Sequence, residues 1–92
     1  MEVEATGESW NEVGASMEVV AALRDAVREI VAAGDFPLVL GGVCSSSLGV
    51  LAGLGSPPDL GVVWFDAHGD FNTPETTPTG FFDGMPLAML TG

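Results

Sequence analysis

Three side chains that bind cations well, Asp66, His68 and Asp70, follow directly on the apolar run Gly61-Val62-Val63-Trp64-Phe65, and His68 is the only histidine in the chain. In an extended backbone, residues i, i+2 and i+4 point the same way, with about 6.5 Å between successive α-carbons on that face. Two carboxylates and an imidazole at this spacing can therefore converge on one or two ions. On a helix they would fan apart, because only i, i+3 and i+4 are neighbours there. The donor set, four carboxylate oxygens and one imidazole nitrogen, suits a moderately hard divalent ion such as Mn²⁺. A plainer alternative stays open, in which the two aspartates cap turns and His68 is a half-buried loop residue.

The elements that must carry these residues are legible on either side. The run before Asp66 is β-branched, aromatic and uncharged, as a central parallel strand should be. Leu38-Val39-Leu40 forms a second short apolar run, ending in Gly41-Gly42. Between the two, Leu48, Leu51 and Leu54 mark a helix opened by serines and closed by Gly55, and Gly49, Ala52 and Gly53 would let it lie close against a sheet. Strand, helix, strand over this length is one parallel βαβ unit. It brings Cys44 and Asp66 to neighbouring carboxyl ends, the edge where open α/β sheets bind ligands.

Upstream, Val19, Val20, Leu23, Val27, Ile30 and Val31 recur at three and four, predicting a covering helix from an N-cap at Ser16 to a C′ residue at Gly34. Residues 1–15 read as an acidic arm in which Trp10 and Val13 are the docking candidates, and residues 16–92 as one partial α/β domain. Downstream of Asp70 comes a polar loop, then a last helix with Pro86 near N1 and Leu87, Met89 and Leu90 as its apolar face.

Composition narrows the partners. The 92 residues carry 13 acidic side chains against two arginines and no lysine, a formal net charge of −11. No basic patch exists to neutralise a phosphate backbone, which excludes nucleic acid and anionic membrane and favours cationic ligands. A P-loop needs a lysine and a dinucleotide site a Gly-x-Gly-x-x-Gly, and neither is present. A single cysteine excludes an internal disulfide, and no run reaches the ~20 apolar residues of a spanning helix, so a cytoplasmic protein is expected.

The segment Asp66-Ala67-His68-Gly69-Asp70-Phe71-Asn72-Thr73-Pro74 closely resembles the Asp-Ala-His-x-Asp-x-Asn-Thr-Pro motif of the arginase and agmatinase family, the ureohydrolases. Thr79 to Ala88 is similar to the family's Ser-Gly-Asn-x-His-Gly-Met-Pro stretch, and Gly41-Gly42-Val43-Cys44-Ser45 to its Gly-Gly-Asp-His-Ser strand end. The resemblance implies a parallel-sheet, three-layer α/β/α fold of which only the N-terminal part is present. It also implies a two-manganese centre that hydrolyses a carbon–nitrogen bond of a guanidino or amidine compound, releasing urea or a similar product. Carried over by position, Asp66 would bridge the ions, His68 would bind one and Asp70 the other, while Asn72 and Thr79 would meet the substrate. Cys44 stands where a histidine normally binds metal, as in one branch of the family, with Val43 in place of an aspartate. Asp83 occupies the place of a proton-shuttling histidine, the one catalytic candidate outside the ligands, and Phe81 replaces a polar substrate contact.

The family's second Asp-x-Asp ligand pair has no counterpart here, so the chain is expected to be an incomplete enzyme, inactive by itself. The family forms trimers or hexamers, which leaves a homo-oligomer as an open expectation. Two other readings remain: a cysteine-dependent hydrolase with Cys44 as nucleophile and His68 as base, and an inactive structural or interaction remnant.

Overall fold

The computed structural model describes residues 1–6 and 11–92. Its order is α1 (Glu12–Ala32), α2 (Ser46–Leu54), a 3₁₀ turn (Phe82–Gly84) and α3 (Pro86–Thr91).

Helix α1 is capped five residues before the expected Ser16. Asn11 is its cap: the backbone there is extended and the side-chain oxygen accepts the Gly14 N–H at 2.7 Å. Residues 12–15, expected in the arm, are thus helical, and Val13 is exposed on the first turn. Trp10 lies outside the described residues. The far end matches the expectation. Gly34 takes φ +82°, its N–H donates to Val31 O and the Asp35 N–H to Ile30 O, which is the Schellman closure. Helix α2 closes the same way at Gly55, with φ +79°.

The two helices pack on each other, and this pairing is the core. Val20, Leu23 and Val27 of α1 lie against the Gly49 and Gly53 face of α2, and Ala26 is also buried. The small residues of α2 were expected to press on a sheet. They press on α1 instead, and Ala52 points outward. A β-carbon on Gly53 would lie 2.6 Å from Val27 Cβ, so only glycine permits this approach. A second small cluster, Phe82, Met85 and Pro86, sits where α3 begins.

The expected strands over residues 38–40 and 61–65 do not form a ladder. No strand is present among the described residues, and no backbone hydrogen bond joins the two runs. A hollow of about 340 Å³ lies between them, lined by Val39, Val63, Trp64 and Phe65 among others. The physical reason is that a strand is defined by its neighbour's N–H and C=O groups, and here the helices supply only one apolar face. Leu40 is 93% and Phe65 96% exposed. Each such side chain left in water forgoes roughly 1.5–3 kcal/mol.

Candidate metal centre

Three of the four expected ligands come together. Ligand atoms of Cys44, Asp66 and Asp70 all lie within 4.8 Å of one another. Cys44 is on the turn leading into α2, where the Ser47 N–H and hydroxyl both donate to its carbonyl. Asp66 ends the second apolar run, and Asp70 lies four residues on.

Asp66 and Asp70 converge, but the alternating extended geometry expected of Asp66, His68 and Asp70 is not what brings them together. Asp70 adopts φ +47°, the left-handed region, so the backbone turns there instead of running on extended. The turn is pinned from α3, whose Leu87 and Ala88 N–H groups donate to the Asp70 carbonyl at 3.0 and 3.2 Å. The result tucks the Asp70 side chain inward. His68 remains outside the cluster, 85% exposed at its side chain, with Nδ1 3.5 Å from Asp66 Oδ1.

The electrostatics of the cluster are one-sided. The His68 backbone N–H donates to Asp66 Oδ1 at 2.9 Å and holds that carboxyl below the usual carboxylate range. Cys44 Sγ donates to Asp66 Oδ2 at 3.5 Å. Burial, and then the Asp70 and Asp66 carboxylates, push the Cys44 thiol up to about 12. Asp70 Oδ2 is buried with no hydrogen-bond partner. Both arginines are on α1, within ion-pair distance of Asp25, so His68 is the only basic group shown at the cluster. A divalent cation would give the orphaned oxygen its partner and allow the thiol to ionise, so the residues present fit such an ion.

The remaining candidates sit apart from this cluster. Asn72 donates its N–H to Gly84 O, and its side-chain oxygen accepts from Thr76 Oγ1 at 3.4 Å. Thr79 Oγ1 accepts the Phe81 N–H. Both belong to an exposed loop. Asp83 is buried, and its Oδ1 accepts the Ser45 N–H at 2.8 Å. Ser45 is the N-cap residue of α2 and its own side chain makes no cap hydrogen bond. Sequence reasoning missed this contact, because 38 residues separate its partners and no local pattern announces it.

The fold is arginase-like. All of the chain superposes on a crystal structure of arginase from Bacillus subtilis with a TM-score of 0.89 at 38% identity, covering 33% of that chain. A second crystal structure of arginase from Bacillus subtilis matches 89% of the chain, with a TM-score of 0.82 at 43% identity and 29% of its own length covered. The sequence model of the arginase family matches residues 1–91, and the chain belongs to that family. Over 71 residues it is 54% identical to the arginase of Bacillus caldovelox and 51% identical to that of Bacillus subtilis, in each case 76% of this chain and 24% of the relative. The chain thus spans about a quarter of the length of the curated relatives it matches.

No helix among the described residues is long and apolar enough to cross a membrane.

Proposed function

We propose that this chain contributes to a manganese-dependent amidinohydrolase that cleaves a carbon–nitrogen bond of a guanidino or amidine compound, with urea or a similar product. One observation carries the proposal: the shared position of Cys44, Asp66 and Asp70, with a buried oxygen of Asp70 left unpaired. In a two-manganese centre of the arginase type, these three residues would be ligands, and His68 would join from the rim by rotating its exposed side chain. The bound ions would supply a nucleophile by lowering the pKa of water toward neutrality.

The chain's own residues do the positioning. The His68 N–H keeps Asp66 ionised and oriented, and the α3 N–H groups hold Asp70 in its turn. Acidic charge over the whole chain draws a guanidinium cation toward the site. Asn72 and Thr79, on the adjoining loop, would bind the substrate's far end. The remaining ligands, and the parallel three-layer α/β/α sheet that the runs at 38–40 and 61–65 would enter, would come from outside these 92 residues. A free thiol at such a site is best kept in a reducing compartment, the cytoplasm.

The cysteine-hydrolase reading has less support. A thiol raised to about 12 is almost wholly protonated at neutral pH, and His68 Nδ1 is near Asp66 while the Cys44 thiol donates to that same carboxylate. The interaction reading draws on the exposed Leu38, Leu40, Val63 and Phe65, which suit pairing with further strands. Sedimentation velocity of the chain tests it, since a monomer at tens of micromolar would reject it.

The functional test is urea release from guanidino compounds by the native protein purified from its source cells, with and without added Mn²⁺. Manganese-dependent release that Asp66→Asn abolishes is expected. Release indifferent to chelation would reject the proposal.

A further inference from the structure

The segment from Asp83 to Ala88 is bonded to both sides of the cluster. On one side, Asp83 Oδ1 accepts the N–H of Ser45, the residue next to Cys44. On the other, the Gly84 carbonyl accepts the Asn72 N–H at 3.1 Å, and the Leu87 and Ala88 N–H groups donate to the Asp70 carbonyl. Cys44 and Asp70 have no backbone hydrogen bond between them; beside the contacts of their own side chains, this bracket ties the turn of one to the turn of the other.

We propose that Asp83 is a positioning residue: through Ser45 it fixes the turn that carries Cys44 at the distance from Asp70 that a shared ion requires. The proposal rests on the metal reading above and goes beyond it by giving Asp83 a task away from the substrate. Three facts support it. The Ser45 backbone is buried, with the residue 1% exposed, and its own side chain offers no cap bond. A carboxylate accepting a backbone N–H at a helix start forms a short, charge-assisted bond, which resists displacement more than a neutral one does. The Ser46, Ser47 and Leu48 N–H groups have local acceptors at Val43, Cys44 and Ser45, so α2 keeps its first turn without Asp83. What Asp83 adds is the location of that turn.

The test compares the wild-type chain with Asp83→Ala and Asp83→Asn. Two readouts are used: the alkylation rate of Cys44 in chelator-treated protein, and Co²⁺ titration followed by the thiolate-to-cobalt charge-transfer band. Asp83→Ala is expected to alkylate at least ~10-fold faster and to bind Co²⁺ about 10–100-fold more weakly, the usual range for groups that orient a ligand. Asp83→Asn keeps an oxygen for Ser45 and is expected to stay within ~3-fold of wild type on both. An Asp83→Ala chain that matches wild type on both readouts overturns the proposal while leaving metal binding intact. A wild-type chain with no charge-transfer band removes Cys44 as a ligand and overturns the reading beneath it, a different result. Should Asp83→Ala fail to fold, amide exchange in the wild type decides. A protected Ser45 N–H that Asp83→Asn retains supports the bond, and an unprotected one overturns it.

Discussion

Replacing Gly53 by alanine tests how the two long helices are joined. The added β-carbon would stand 2.6 Å from Val27 Cβ, 2.8 Å from Val27 Cγ1 and 2.8 Å from the Arg24 carbonyl oxygen. Comfortable carbon–carbon contact begins near ~3.5 Å. The shortfall is thus close to an ångström, and a backbone oxygen and a β-carbon are atoms that cannot swing away. The helices must move apart, loosening the contacts of Leu23 and Val27. Overpacking of this kind costs about 1–3 kcal/mol, and rigid neighbours argue for the upper half. Alanine returns about 1 kcal/mol of helix propensity. The expected net loss is therefore about 1–2 kcal/mol, read as a lower urea midpoint at unchanged slope by far-UV circular dichroism. Gly42→Ala is the control: nothing lies within 4 Å of its added carbon, and it should move the midpoint little. If Gly53→Ala were as stable as wild type or more so, helix propensity alone would explain the result, and the close α1–α2 contact would be refuted.

Further outcomes follow from the site and the caps. Asn11→Ala removes the acceptor for the Gly14 N–H and should cost about 1 kcal/mol by the same denaturation assay, placing the start of α1 at Asn11 and not at Ser16. Asp70→Asn should fold as wild type does, since asparagine tolerates the left-handed backbone and keeps its carbonyl for α3, yet should lose Mn²⁺ affinity; an unfolded variant would show that the carboxylate holds the turn. In chelator-treated protein, iodoacetamide should modify Cys44 far more slowly at pH 8 than a free thiol, and the rate should still be climbing above pH 10. Because the folded thiol titrates near 12 and the unfolded one near 9, the stability that Cys44 contributes is complete below about pH 9 and is lost as pH rises toward 12. A rate that levels off at pH 9 would contradict the upward push that partial burial and the neighbouring carboxylates exert on this half-buried thiol.

The helices were legible because their signals are local. Leu23, Val27 and their neighbours keep the period, Gly34 and Gly55 supply the left-handed closures, and Pro86 starts α3. The start of α1 was obscured by Gly14-Ala15-Ser16, small residues that carry no hydrophobic period, so the cap at Asn11 went unread. The runs at 38–40 and 61–65 have strand composition, but a ladder depends on partners that composition cannot place, and here α1 and α2 pack on each other. The residue types of the candidate cluster were plain from the spacing Asp66, His68, Asp70 and from Cys44 at the other run's end. Their arrangement was not, since the left-handed turn at Asp70 is imposed by α3, and the Ser45–Asp83 bond spans 38 residues.

The most direct measurement is Mn²⁺ binding to the chelator-treated chain, followed by the loss of the free ion's electron paramagnetic resonance signal. Saturable binding in the wild type, weakened at least ~10-fold by Asp66→Asn, Asp70→Asn and Cys44→Ala separately, is the result expected of a site built from these three residues. Binding that is absent in the wild type, or that survives all three substitutions unchanged, would contradict it.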